Sequence, residues 1–271
     1  MPELPEVETT LNGVKPFVYQ QVITKIVVRE RRMRWPVPDL DHLHGQRVAR
    51  CERRAKYMLF HLQDGQVLLL HLGMSGNLRV LPQGTAVQKH DHIDIEFSNG
   101  KLIRFNDPRR FGCCLLIDPP ILEHKLLSSL GPEPLSSSFD GEHLFTLSRG
   151  RSLAVKNFVM DGKVVVGVGN IYASEALYEA GIRPTMAAGR VSRARYTRLA
   201  DCIKGVLAKA IKAGGTTLND FIQADGKPGY FSQELQVYGR KDEPCYECAE
   251  PIKSKVIGQR NSYYCSQCQS F

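Results

Sequence analysis

The sequence predicts an α+β protein built in order from one helix, an antiparallel β-sandwich or flattened barrel, a helical region and a short cysteine-bearing hairpin. Three observations carry this prediction. Val7, Leu11, Val14 and Val18 recur at helical spacing near the start. Between Gln21 and Asp118 the texture changes to short β-branched runs, with Asp64-Gly65 and Asn99-Gly100 between successive runs as two-residue hairpin signals. After the turn-forming stretch Gly131-Pro132-Glu133-Pro134 and Ser136 to Ser138, apolar residues return to helical spacing.

The first helix runs from Pro5 to about Lys15, with Pro5 suited to its first turn and Pro16 marking its end. The strand runs are Val22 to Val28, Tyr57 to Phe60, Val67 to Leu70, Ile93 to Phe97 and Lys101 to Phe105. Helices are expected within Phe139 to Leu147, Ile171 to Ala180 and Tyr196 to Ala213. The string Val164 to Asn170 imitates a dinucleotide-binding turn, but the third glycine is missing and no βαβ pattern surrounds it. Asn170 is instead read as the cap of the helix beginning at Ile171, whose first N–H groups suit a phosphate. The turn-rich stretch Gly214 to Gly229 is either a lid or a connector, and the residues alone favour a connector.

At 271 residues the chain is long enough for one large domain or two modest ones. Its formal charge of +8, from 36 Lys and Arg against 28 Asp and Glu, points toward a polyanionic partner. No apolar stretch reaches the roughly 18–20 residues of a membrane span, and the acidic start lacks the basic and apolar regions of a signal peptide. A cytoplasmic protein is expected.

Eight cysteines, four of them in the last 27 residues, are too unevenly placed for a secreted disulfide framework. Cys245-x-x-Cys248 and, sixteen residues later, Cys265-x-x-Cys268 have the spacing that converges four thiolates on one structural Zn2+, with a β-hairpin between the pairs. Arg260 lies on that hairpin. Cys51, Cys113, Cys114 and Cys202 are read as small core residues.

The opening string Pro2-Glu3-Leu4-Pro5-Glu6-Val7-Glu8 places carboxylates around a position that becomes the terminus once Met1 is trimmed. An α-amine titrates near ~7.7–8, against ~10.4 for lysine, so far more of it is nucleophilic at neutral pH. Asp107-Pro108-Arg109-Arg110-Phe111-Gly112, His71-Leu72-Gly73-Met74-Ser75-Gly76 and Lys89-His90-Asp91-His92 form a further group. Met, Arg and Phe exposed on turns are what a protein needs to push between bases; buried, Met74 and Phe111 would be ordinary core residues. The basic clusters Arg29 to Arg34 and Arg47 to Lys56 suit either a solvated strand face or a phosphate-lined groove.

Together with Arg53-Arg54-Ala55-Lys56-Tyr57, Val166 to Tyr172 and Glu234-Leu235-Gln236-Val237-Tyr238-Gly239, these motifs closely resemble the formamidopyrimidine-DNA glycosylase family of bacterial base-excision enzymes, from Pro2 to the four cysteines. The resemblance implies an N-terminal β-sandwich catalytic domain (1–131), a helix-two-turn-helix DNA-binding domain (132–233) and a zinc-finger ribbon (234–271). It implies a glycosylase and abasic-site lyase acting on 8-oxoguanine and formamidopyrimidines in damaged double-stranded DNA, as a nucleoid-associated monomer. Pro2 then attacks C1′ and forms a Schiff base, Glu3 assists ring opening, and Lys56 and Arg260 donate protons in the β- and δ-eliminations. His71, His90, Lys156 and Asn170 correspond to residues gripping the backbone around the extruded nucleotide. Met74, Arg109 and Phe111 correspond to residues filling the void, and Thr217 to Tyr230 to a loop closing over the lesion. Where the family usually has glycine after the second zinc cysteine, this chain has Ala249. Two rival readings are the endonuclease VIII-like branch, acting on oxidised pyrimidines, and a non-catalytic zinc-ribbon protein sensing distorted DNA. Leu4 and the Met74, Arg109, Phe111 combination favour the purine branch; the coincidence of Pro2, Glu3 and Lys56 disfavours the non-catalytic reading.

Overall fold

The computed structural model describes residues 2–216 and 234–270. These fall into two compact units. The first holds the residues up to Ser128 and those from Ala213 to Thr216; the second holds Ser129–Lys212 and the residues from Glu234 onward.

In the first unit, helix α1 (Leu4–Val18) buries Leu4, Val7, Leu11, Val14 and Val18 along one stripe. Pro16 does not end it, contrary to the expectation from sequence. Proline removes only the hydrogen bond to the carbonyl of Asn12, which is exposed to water, while burial of Val18 carries the helix on. The strands β1 (Ile23–Val28), β2 (Val48–Arg54), β3 (Tyr57–Leu62), β4 (Val67–His71), β5 (Asn77–Pro82), β6 (Asp91–Phe97), β7 (Lys101–Asn106) and β8 (Cys113–Ile117) form two antiparallel sheets, ordered β1-β6-β7-β5 and β2-β3-β4-β8. A sandwich, and not a closed barrel, is the outcome. The Asp64-Gly65 turn joins β3 to β4, with Leu62 N–H bonded to Gln66 O at 2.8 Å, and the Asn99-Gly100 turn joins β6 to β7. Val14, Phe60, Leu70, Ile95, Ile103 and Phe105 belong to one core drawn from α1 and both sheets.

The second unit contains α2 (Gly141–Ser148), α3 (Val155–Met160), α4 (Asn170–Glu179), α5 (Arg193–Lys212) and the hairpin β9 (Lys253–Ile257) and β10 (Arg260–Tyr264). Val164 to Val168 is buried but forms turns, not a strand. α2 and α4 pack against α5, whose Tyr196, Leu199, Ile203, Val206 and Leu207 form its buried face. No helix among the described residues is long and apolar enough to cross a membrane.

Candidate active site and nucleic-acid interface

In the first unit, Pro2 and Glu3 are buried at the head of α1. Glu3 caps the helix in a reciprocal box: its carboxylate accepts the Glu6 N–H, and Glu6 Oε2 accepts the Glu3 N–H at 2.8 Å. Glu6, itself fully buried, also uses Oε1 to accept the N–H (2.9 Å) and hydroxyl (3.0 Å) of Thr216. One carboxylate therefore ties the chain's start to the segment after α5. Gly215 sits at φ +80°, and a Cβ there would lie 3.0 Å from Glu6 Oε1.

Lys56 stands on the two-residue turn between β2 and β3, where Ala55 takes φ +54°. Arg53 steadies that turn by donating to the Ala55 carbonyl at 2.8 Å and to Glu8 of α1 at 2.5 Å. The adjacent strand end presents His71. Its Nδ1 accepts the Gly73 N–H at 2.9 Å, so the neutral ring carries its proton on Nε2. Burial, reinforced by the charges of Lys56 and Arg34, holds the ring pKa down at about 4. At neutral pH His71 is an uncharged donor beside two cations.

Met74 and the turn bearing Arg109 and Phe111 meet through very close backbone packing. Gly73 has φ +67°, and a Cβ on it would lie 2.4 Å from Gly112 N and Phe111 C; one on Gly112 would lie 2.6 Å from the His71 carbonyl. Phe111 is 42% exposed and the Arg109 guanidinium lies 4.9 Å from its ring. His90 takes φ +71° on a loop anchored by Asp91, which accepts from Gln88 N–H and Asn106 Nδ2, and by Asn106 Nδ2 donating to Lys89 O. Burial pushes the Cys51 thiol up to about 11 and Cys113 up to about 12, as expected of inert core thiols.

In the second unit, Asn170 is not the cap assigned from sequence. It is the first residue of α4, after Gly169, and its side chain accepts from Lys156 Nζ (2.5 Å) and donates to the Asn261 carbonyl (3.0 Å). Engagement with the hairpin leaves it unable to turn back on its own helix. Lys156 is 0% exposed and also donates to Ser262 Oγ at 2.5 Å, so its ammonium joins α3, α4 and β10. Arg260 begins β10 on the exposed side of the Gly258-Gln259 turn. That turn rests on α3: a Cβ on Gly258 would lie 2.4 Å from Asn157 Nδ2. Buried Glu175 accepts the N–H groups of Gln236, Val237 and Tyr238 at 2.8, 3.1 and 2.8 Å, fixing that motif on α4.

The four predicted metal ligands converge, with the Sγ atoms of Cys245, Cys248, Cys265 and Cys268 all within 4.8 Å of one another. Two Sγ pairs are 3.4 and 3.9 Å apart. Tetrahedral ligands at ~2.3 Å from zinc stand about 3.8 Å apart, so the donor set fits one structural Zn2+. Among the described residues this is the one group of three or more His, Cys, Asp or Glu placed to hold a metal.

Three family models match in order: the formamidopyrimidine-DNA glycosylase N-terminal domain over residues 1–114, its H2TH domain over 130–222, and the zinc finger found in FPG and IleRS over 242–270. Formamidopyrimidine-DNA glycosylases of Alteromonas mediterranea and Pseudomonas aeruginosa are 59% and 57% identical, each across 99% of this chain and all of the relative. The chain belongs to the formamidopyrimidine-DNA glycosylase family. The MutM (Fpg) structure from Thermus thermophilus superposes at TM-score 0.89 with 35% identity over 99% of both chains. A Lactococcus lactis Fpg mutant bound to Fapy-dG DNA superposes at 0.92 with 33% identity over both whole chains. Within this family member, sequence reasoning assigned no site role to Glu6 or Asp107. Both lie inside sequence motifs named above, but the partners that give them a role, Thr216 for Glu6 and Ser75 for Asp107, are far along the chain. The loop expected over Thr217 to Tyr230 lies outside the described residues.

Proposed function

We infer that this chain excises ring-opened and oxidised purines from damaged double-stranded DNA and cuts the strand at the abasic site it creates. The observation that carries this reading is the buried Pro2-Glu3 pair at the head of α1 in a chain matching its family along its whole length. With Met1 removed, the Pro2 amine attacks C1′, the N-glycosidic bond breaks and the base leaves with the electron pair. Glu3 protonates the ring oxygen as the sugar opens to an iminium on Pro2. The 3′ phosphate then departs by β-elimination and the 5′ phosphate by δ-elimination, with Lys56 and Arg260 as the proton donors. The base must leave the stack before C1′ is accessible. Met74, Arg109 and Phe111 fill the space it vacates, with Arg109 toward the orphaned cytosine.

His71, as an uncharged Nε2 donor, His90, Lys156 and Asn170 grip the backbone around the extruded nucleotide, and Lys156 and Asn170 also hold the β9–β10 hairpin against α4. Zinc, when bound, supplies no step of the reaction and holds the hairpin that carries Arg260. The functional divisions are 1–131, 132–233 and 234–271, in a cytoplasmic, nucleoid-associated monomer with no membrane partner. The test is a duplex with one 8-oxoguanine opposite cytosine: Pro2→Gly and Glu3→Gln should lose cleavage and keep binding. Normal cleavage by both variants would remove the chemistry from the N-terminus. Preference for oxidised pyrimidines would move the chain to the endonuclease VIII-like branch.

A further inference from the structure

Asp107 is 0% exposed, yet it reaches three separate recognition segments. Its Oδ1 accepts the Ser75 hydroxyl at 2.7 Å, and its Oδ2 accepts the Gly112 N–H at 2.8 Å. Its own N–H donates to the His90 carbonyl at 3.1 Å, and its carbonyl accepts from His92 Nε2 at 2.8 Å. Ser75 Oγ in turn accepts the Arg109 N–H at 3.1 Å. The carboxylate is not forming the local Asx turn usual for aspartate, which bonds two residues on; it reaches five residues forward and 32 back. Among the described residues its oxygens meet only neutral donors. A buried carboxylate so placed is worthwhile only where its full set of hydrogen bonds is made, and here that set spans the turns carrying Met74, Arg109 and Phe111, while the Asp107 backbone N–H adds the His90 loop.

We propose that Asp107 is a positioning residue for base extrusion, clasping these turns so that Met74, Arg109 and Phe111 enter the duplex as one rigid unit. The proposal rests on the wedge role given above to those three side chains. A clasp of this kind acts before chemistry, so it governs reaction on a stacked base and not reaction at a site that already lacks one. Displacement of the wedge by about an ångström can cost on the order of a hundredfold in a positioned step.

The experiment compares Asp107→Asn and the milder Ser75→Ala with the unaltered chain under single turnover. Three readouts are taken: excision of 8-oxoguanine opposite cytosine, strand cleavage at a preformed abasic site, and stopped-flow fluorescence of 2-aminopurine beside the lesion. The clasp predicts excision and the fluorescence step slowed together, on the order of ten- to a hundredfold for Asp107→Asn and less for Ser75→Ala, with abasic-site cleavage within about twofold. Equal loss on both substrates in both variants would show damage to the fold, and unchanged excision would show that the clasp is idle; either result overturns the proposal. Phe111→Ala is assayed alongside. If it leaves the fluorescence step unchanged, the wedge reading itself fails, independently of Asp107.

Discussion

The Asp107 turn and the cysteine ribbon each carry an exposed arginine at a tight turn, Arg109 within one and Arg260 just after the other, but they hold it by different means. The Asp107 turn stands on a sandwich with a core drawn from two four-stranded sheets and a helix, and needs only a buried carboxylate and glycine-close packing to become rigid. The ribbon has a two-stranded hairpin and a small cluster of Tyr178, Val237, Cys245, Ile252 and Cys265, two of which are themselves zinc ligands. A hairpin of that size does not stabilise itself in water. Where a large core is at hand, hydrogen bonds suffice to place an arginine; where it is not, the metal supplies the folding energy.

The largest expected effect is on the ribbon. Structural zinc contributes roughly 10–16 kcal/mol in isolated finger peptides, so chelation or Cys265→Ser should unfold residues 242–270 and abolish specific DNA binding. NMR should show the sandwich signals unmoved; sandwich and ribbon signals lost together would end the contrast. Next comes Gly73→Ala. Its positive φ and a Cβ 2.4 Å from the Gly112 backbone leave no flexible neighbour to give way, and a cost of about 3 kcal/mol is expected in chemical denaturation. Near-normal stability would mean the two turns are not locked.

His71 gives a smaller, pH-dependent effect. Its folded pKa of about 4 lies below the unfolded value near ~6.5, so the unfolded state takes up the proton first. The stability it contributes is full above pH ~6.5 and is lost as pH falls through the folded value. NMR titration should place its midpoint near about 4, moving upward in Lys56→Met, because one of the opposing charges is gone; a midpoint near 6.5 would contradict the geometry. The smallest effect is Ala249→Gly. Ala249 takes φ +61° between the cysteine pairs, so glycine should stabilise the zinc-loaded ribbon by about 1 kcal/mol, read as slower zinc loss to a chelator.

Much of this was legible in sequence because it is local. Hydrophobic spacing gave α1, α4 and α5, the Asp-Gly and Asn-Gly turns gave two hairpins, and paired cysteines gave the metal site. What was missed depends on tertiary context. β2, reading Val-Ala-Arg-Cys-Glu-Arg-Arg, is too polar to announce itself and is a strand because β3 pairs with it; α3 spans only six residues. Pro16 and Asn170 obey rules of local capping and breaking until Val18 burial and the Asn261 carbonyl outweigh them. Glu6 and Asp107 meet partners 210 and 32 residues away, a pairing no window along the chain displays. The paired cysteines carried the strongest local signal in the sequence; Pro2 and Glu3 gained their chemical reading only in company with the other motifs, and both are buried at the head of α1.

The most direct measurement is borohydride reduction of the protein on duplex DNA with one 8-oxoguanine opposite cytosine, followed by mass spectrometry of the cross-linked peptide. The account predicts a single adduct on the nitrogen of an N-terminal Pro2 from which Met1 has been removed. An adduct on a lysine, with Pro2 unmodified, would contradict it.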